Sequence, residues 1–348
     1  MGQAISKLTI KGYKSIRSLE NFELRDINIL IGPNGSGKSN FISFLQLLNE
    51  IFREKGMLDS YIKRIGGADK LFFLGTKITH EIEVDFELYD TIESFKLLPT
   101  SDNKLSYHHF TITDSDTSSD EEVKRKFDLL SKQLGAYKLY HFHDTSDFAA
   151  VKRPCSKRDY DYLRPDASNL AAFLLFLRKK HNREYQYIRD TVQLAAPFFD
   201  DFLLRDSLDN PDETLLEWRQ KDSDYPFHPS QISDGTLRFI CLATVLLQPD
   251  PPSTIIVDEP ELGLHPLALA LLAELIKKAS HKTQVIVATQ SAGLISHFEP
   301  QDIIVVELKN EESVFRRLPL EKLKQWIDDY SLGELWEMNL LEDRAENE

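Results

Sequence analysis

"GPNGSGKS", residues 32–39, fits the spacing G-x-x-x-x-G-K-[ST] of a phosphate-binding loop. The stretch before it, "NFELRDINILIG", alternates and then turns apolar, which reads as a strand ending at Gly32. The stretch after it, "SNFISFLQLLNEIF", carries Phe41, Phe44, Leu45, Leu48, Ile51 and Phe52 at helical spacing. Strand, glycine loop and helix in that order suit the chemistry. Glycines let backbone amides curl around phosphate oxygens, and a helix N-terminus favours their negative charge. Asn34, Gly35, Ser36, Gly37, Lys38, Ser39 and Asn40 are therefore candidate nucleotide contacts. Lys38 reaches the β- and γ-phosphates, and the Ser39 hydroxyl serves Mg²⁺.

The 348 residues are 41% hydrophobic and 28% charged, the balance of a soluble globular protein with one large or two intimate domains. A net charge of −14 argues against a surface that coats nucleic acid indiscriminately, though it leaves room for a local basic groove. Cys155 and Cys241 stand far apart without a CxxC partner, so neither a disulfide framework nor a zinc site is supported. The N-terminus lacks the apolar core of a signal peptide. Met1-Gly2 with Ser6 matches the bare myristoylation pattern, but residues 2–10 also read as a plain first strand, which is the preferred reading. No apolar run approaches the roughly 18 residues that span a membrane. The expectation is a cytoplasmic protein.

Further along, "HEIEVDFELYD" and "SFKLLP" read as strands of a β-rich subdomain. Residues 114–122 form an acidic, Ser-rich loop, and a charged helix is expected over 121–134. One helical segment is expected over about 167–203, with "NLAAFLLFLRKK" as its apolar stripe. "SLDNPDE" and "SDYPFHP" are breakers. "STIIVDEP", "TQVIVAT" and "DIIVVEL" are short buried strands, and "HPLALALLAELIKKAS" is an amphipathic helix. Strands alternating with helices at this spacing predict a parallel sheet in an α/β fold. There is no internal repeat and no sustained heptad array.

Two more strand ends carry polar residues. "TIIVDEP" ends in adjacent carboxylates: Asp258 suits a Mg²⁺ water shell, and Glu259 lies where it can orient and deprotonate an attacking water. "VIVATQSAGLI" ends in Thr289, Gln290 and Ser291, and Gln290 is a candidate γ-phosphate sensor, since ligands collect at the carboxyl ends of parallel strands. Between the phosphate loop and these motifs, "QISDGTLRFICLATVLLQP" opens a long apolar helix with a Ser-Asp-Gly-Thr cluster that caps it and leaves amides free for an anion.

In this order the motifs resemble the ABC-type ATPases, in the branch containing RecF, the SMC proteins and the OLD-family ATPases. "LTIKGYKSIRSLENFEL" looks like that branch's first strand and turn, "GPNGSGKSN" its P-loop, "DEPELGLHP" its Walker B and D-loop, and "ATQSAGLI" its switch region. The likeness covers residues 5–52 and 230–308 well. In the middle only "DASNLAAFL" is similar, and "YSLGELW" looks like a tail shared by small stand-alone ATPases of this group. The resemblance implies a P-loop NTPase with an ABC-type head, a β-rich first lobe and a helical insertion. Lobe I would cover residues 1–90, the insertion 91–228, lobe II 229–310 and a helical tail 311–348. It also implies that "SDGT" holds the place of the ABC signature. That helix end completes the site of a second subunit, so two ATP molecules with Mg²⁺ are sandwiched in a head-to-tail homodimer. Ser233 would donate to the γ-phosphate and Gly235 would allow close backbone approach.

Several positions depart from the family. Asp234 puts a carboxylate where a triphosphate is expected, which is unfavourable unless it faces away or pairs with a cation. Gln290 stands where many members have a switch His, and implies slow or partner-dependent hydrolysis. His265 either senses the opposing subunit or simply precedes Pro266 at a helix start. No Q-loop glutamine can be assigned. His108-His109 and His141-x-His143 read first as surface or packing residues and only second as metal ligands. Lys7, Lys11, Lys14, Arg17 and the basic clusters at 152–153, 157–158 and 178–180 are scattered charges that a phosphate backbone could use. About 40 residues follow "DIIVVEL", too few for the TOPRIM nuclease of OLD-type proteins. The resemblance thus implies a dimerising switch in DNA maintenance or anti-phage defence, acting on DNA or on a separate effector. The rivals are a transporter's nucleotide-binding subunit and a scaffold with negligible turnover. A GTPase is disfavoured because N-K-x-D is missing.

Overall fold

The structure, a computed structural model, describes residues 4–53, 57–88, 91–111, 134–207, 210–318 and 329–341, with positions 128, 130, 131, 323 and 326. The acidic loop at 114–122, most of the helix expected over 121–134 and the Met1-Gly2 pair lie outside the described residues. The chain forms two compact units. The first comprises Met1–Lys138, Pro252–Ile256 and Thr283–Glu348, and the second Leu139–Pro251 and Val257–Lys282.

In the first unit, an antiparallel sheet runs in the order Ile16–Glu23, Lys7–Tyr13, Ile82–Leu88, Thr91–Pro99, Leu105–Thr111. Ile82, Val84, Phe86 and Leu88 are buried while the residues between them are not, as period-two alternation dictates for a half-buried sheet. The helix Lys38–Phe52 buries Phe41, Phe44, Leu45, Leu48 and Phe52. The Phe52 ring meets Phe86, Phe95 and Tyr107 edge-on at 6.1–6.3 Å, the preferred arrangement for aromatic quadrupoles.

A second sheet has the order Glu312–Arg317, Ile303–Lys309, Ile27–Ile31, Gln284–Thr289, Thr254–Asp258, Tyr137–Tyr140. Ile303–Lys309, Ile27–Ile31 and Gln284–Thr289 run parallel, as the alternating pattern predicts. Every residue of Gln284–Thr289 is buried, the mark of a parallel strand covered on both faces. Thr254–Asp258 and Tyr137–Tyr140 each continue along the chain into the second unit.

The second unit contains the helices Leu170–Lys180, Asn182–Ala195, Asp234–Leu247 and Pro266–Ser280. The single helical segment expected over 167–203 is a correction. It breaks at His181, stops at Ala195, and Phe199–Leu203 is a strand paired with Glu217–Gln220. Pro197 explains the stop, because proline has no amide to donate and forces its predecessor out of the helical region. The strand survives because Phe199 stacks on Trp218 and packs against Phe202.

Candidate nucleotide-binding site

Ile31 pairs in register with Thr289 on one side and Val305 on the other. The phosphate loop therefore leaves the sheet between two parallel neighbours, and Gln290 emerges at the same edge, exposed. Thr289 is fully buried and its Oγ1 accepts the Ser291 amide at 2.9 Å. Ser291 Oγ in turn accepts the Leu294 amide at 3.1 Å, capping the short helix Ala292–Ile295.

Within the loop, Gly35 (φ 80°) and Gly37 (φ 112°) occupy the left-handed region that strains any side chain. A Cβ on Gly37 would also collide with the Ser313 side chain. Lys38 is buried, and its ammonium donates to Gly32 O at 2.6 Å and Pro33 O at 3.0 Å, so the charge is curled over its own loop. Asn34, Gly35 and Ser39 are exposed, whereas Ser36 Oγ is buried without a hydrogen-bond partner among the described residues.

Two residues that sequence reading missed brace this loop. Ser313 Oγ donates to Ser36 O at 2.7 Å and shares a second 2.7 Å hydrogen bond with Ser15 Oγ, whose hydroxyl can donate back, and Asn40 Nδ2 donates to Ser15 Oγ at 2.6 Å. Ser15 lies in the recognisable "GYKS" turn. Nothing in the sequence marks Ser313, which is 277 positions from Ser36.

The second unit carries the other motifs. Asp258 ends its strand, and Glu259 has φ 44°, a left-handed backbone that costs a non-glycine residue about 1–2 kcal/mol. The chain then turns through hydrogen bonds from Leu262 N to Glu259 O and from Leu264 N to Glu261 O. His265 caps Pro266–Ser280, its Nδ1 accepting the Leu267 amide at 3.4 Å. Ser233 is the N-cap of Asp234–Leu247: its Oγ accepts the Thr236 amide at 3.2 Å and lies 2.7 Å from Thr236 Oγ1. Gly235 packs so closely on Gly263 that a Cβ would overlap the Gly263 carbonyl.

Arg238, also missed, fastens these pieces together. Its Nε donates to Phe142 O at 3.0 Å, and its terminal nitrogens donate to Leu262 O at 2.8 Å and His143 O at 3.0 Å. A small cleft brings Arg238 and His143 together with Asp258 and Glu259. The signal was present in the sequence: Arg238 is the one charge inside the apolar run "LRFICLATVLL".

The Asp234 departure finds its cation. Lys152, with its side chain only 4% exposed, places its ammonium 3.9 Å from Asp234 Oδ1 while donating to Thr145 O at 2.6 Å. Because Asp234 is well exposed, the pair adds at most about 1 kcal/mol to stability, and its effect is local charge balance.

The residues considered for a basic groove are mostly engaged. Lys7 pairs with Glu87 at 2.9 Å, Lys11 with Glu20 at 3.3 Å and Arg17 with Glu312 at 2.7 Å, while Lys14 donates to Ser43 Oγ at 2.8 Å. Burial holds Lys14 below its usual range. The His141 and His143 rings lie 6.0 Å apart, and burial, then the neighbouring His143, lowers the His141 pKa. Among the described residues no cluster of three or more His, Cys, Asp or Glu could hold a metal ion. No described helix is long and apolar enough to cross a membrane.

A family model described as "AAA domain, putative AbiEii toxin, Type IV TA system" matches residues 27–296. The chain belongs to this AAA family. Similar solved structures agree in fold. An SMC head bound to the C-terminal winged-helix domain of ScpA superposes with a TM-score of 0.63 at 19% identity, covering 92% of this chain and 99% of that one. The Pyrococcus furiosus Smc head with an extended coiled coil, bound to the C-terminal domain of ScpA, gives 0.58 at 16%, with 93% and 98% coverage. The Pyrococcus yayanosii Smc head with a coiled coil and joint gives 0.53 at 15%, with 93% and 99%. No curated protein matches the chain significantly. This member of the AAA family has the mixed α/β P-loop fold that the SMC head structures share.

Proposed function

We propose that the chain is a Mg²⁺-dependent ATP hydrolase whose ATP-bound form is a head-to-tail homodimer, working as a switch on a separate effector protein in a defence system. The observation that carries the reading is the shared edge of Ile27–Ile31 and Gln284–Thr289. There the phosphate loop and Gln290 emerge side by side. Lys38 would leave its own loop carbonyls for the β- and γ-phosphates, and Gln290 would sense the γ-phosphate.

The donor set suits Mg²⁺. Ser39 is exposed at the helix start, where its hydroxyl would serve a Mg²⁺ ion together with phosphate oxygens, and the Asp258 motif would be the source of the carboxylate. When bound it would neutralise charge on the transferring phosphate. The protein's own work is to orient water. Glu259 would accept a proton from a water aligned with the γ-phosphate, and its fixed backbone would hold the carboxylate in place.

Dimerisation draws support from the second unit. Ser233, Asp234, Gly235 and Thr236 form a capped helix start whose one carboxylate is balanced by Lys152. Such an end suits a triphosphate from another chain. An effector protein is favoured over DNA because three of the four N-terminal basic candidates already face carboxylates. The toxin–antitoxin wording of the family description and the ScpA domains bound to SMC heads also point to protein partners.

A scaffold with negligible turnover remains as a second reading, favoured by Gln290 in place of a switch His. Glu259→Gln separates the two. The switch requires slower turnover and a longer-lived ATP dimer than the unaltered chain shows. Equal turnover and equal dimer lifetime would leave the scaffold.

A further inference from the structure

We propose that residues 331–341 form a strap that positions the Gln290 switch against the phosphate loop, with Gly333 as its key positioning residue. The inference rests on the proposed role of Gln290.

Gln290 is followed almost at once by Ala292–Ile295, a helix of four residues. A helix so short cannot hold its own shape, so its place is set by what packs on it. Leu294 and Ile295 are buried, and on this helix lies a second short helix, Leu332–Glu337, with Leu332 and Leu335 buried. The contact between them is backbone-close. A Cβ on Gly333 would overlap both Ala292 O and Ser296 Oγ. Ser296 Oγ donates to Ala292 O at 2.9 Å and lies 3.5 Å from Ser331 Oγ.

Both ends of the strap are fastened. Ser331 and Glu334 form a capping box: Ser331 Oγ accepts the Glu334 amide at 3.3 Å, and Glu334 Oε2 accepts from the Ser331 amide at 2.8 Å. At the far end the buried Leu341 offers its carbonyl to the Arg316 guanidinium at 2.7 Å. Arg316 stands in Glu312–Arg317, the strand whose Ser313 hydroxyl holds Ser36 O of the phosphate loop. A continuous chain of contacts therefore runs from the switch helix through residues 331–341 to the loop that binds phosphate. Displacing the Gly333 end of the strap acts on the switch helix and leaves the Arg316 end, which leads to the phosphate loop, in place. Its loss should slow hydrolysis and spare nucleotide binding.

The test is a double-mutant cycle on the full chain, reading turnover at saturating ATP and affinity for a fluorescent ATP analogue. Gly333→Val should lower turnover about tenfold or more and keep analogue affinity within about twofold. Gln290→Ala should do the same, and the double variant should be no slower than Gln290→Ala alone, because the two act through one step. Should Gly333→Val fail to fold, Ser331→Ala removes only the cap and should give the same split at about threefold. Normal turnover in the Gly333 or Ser331 variant beside a slow Gln290→Ala overturns the strap alone. Losses that multiply in the double variant overturn it too, since they mean independent structural damage. Normal turnover in Gln290→Ala overturns the switch role of Gln290 and the strap with it.

Discussion

Replacing Arg238 by methionine keeps a long side chain in the helix Asp234–Leu247 but removes three hydrogen bonds to the carbonyls of Phe142, His143 and Leu262. The Nε bond is part-buried and the other two are exposed, so they do not count equally. A hydrogen bond from a charged donor contributes about 1.5–3 kcal/mol where water is excluded and a few tenths where it is not. The sum is a loss of about 2–4 kcal/mol in the second unit. With a urea dependence of about 2 kcal/mol per molar, the unfolding midpoint should fall by about 1–2 M at unchanged slope. Trp218 is the tryptophan of that unit, buried between Phe199 and Phe227, so its fluorescence in a Trp326→Phe, Trp336→Phe background reads this transition. Because Arg238 also fastens the segment after Glu259 to the helix Asp234–Leu247, the proposed function requires ATP turnover to drop about tenfold while nucleotide affinity holds. An unmoved midpoint together with unaltered turnover would refute the reasoning, and Arg238 would then be a replaceable surface residue.

Ser313→Ala deletes the hydroxyl that holds Ser36 O and Ser15 Oγ, which should weaken nucleotide binding about tenfold, the equivalent of one buried hydrogen bond; unchanged affinity in a fluorescent-nucleotide titration would contradict the bracing role. Burial pushes the Tyr137 and Tyr140 phenols up to about 12. The folded chain keeps those protons while the unfolded chain releases them near pH 10, so stability is level below about pH 10 and falls as pH rises through that window, by at most about 2–3 kcal/mol per tyrosine. Urea midpoints taken across that range, beside phenolate absorbance, check the sign. Burial also raises the Cys241 and Cys155 thiols, so both should resist iodoacetamide in the folded chain and react on unfolding; rapid native labelling of Cys155 would contradict this.

The parts legible in the sequence are those whose signal is local. Gly32 to Gly37 sit between a strand and a helix as their spacing predicts, and "TIIVD" and "QVIVAT" are buried strands, as their short length and β-branched residues indicate. Phe199–Leu203 went astray because Pro197 was outweighed by the apolar content around it, and only Trp218 in a later strand decides that segment. The strands Leu105–Thr111, Tyr137–Tyr140 and Glu312–Arg317 were not anticipated either, since each depends on distant pairing. The same limit applies at the site. Ser313, Lys152 and the carbonyls that Arg238 gathers are joined by the fold rather than by spacing. Asp234 looked like a defect while its partner Lys152, 82 positions earlier, could not be seen.

The central claim is that the signature of one chain completes the ATP site of another, and complementation between two inactive variants tests it most directly. Lys38→Ala disables a phosphate loop, and Ser233→Arg fills the signature turn of the other face. Each alone should be inactive. Mixed, they should form heterodimers with one intact composite site, pairing the phosphate loop of the Ser233→Arg chain with the signature of the Lys38→Ala chain, and ATP hydrolysis should return. A mixture as inactive as its components, or a Ser233→Arg chain that hydrolyses ATP unaided, would contradict the account.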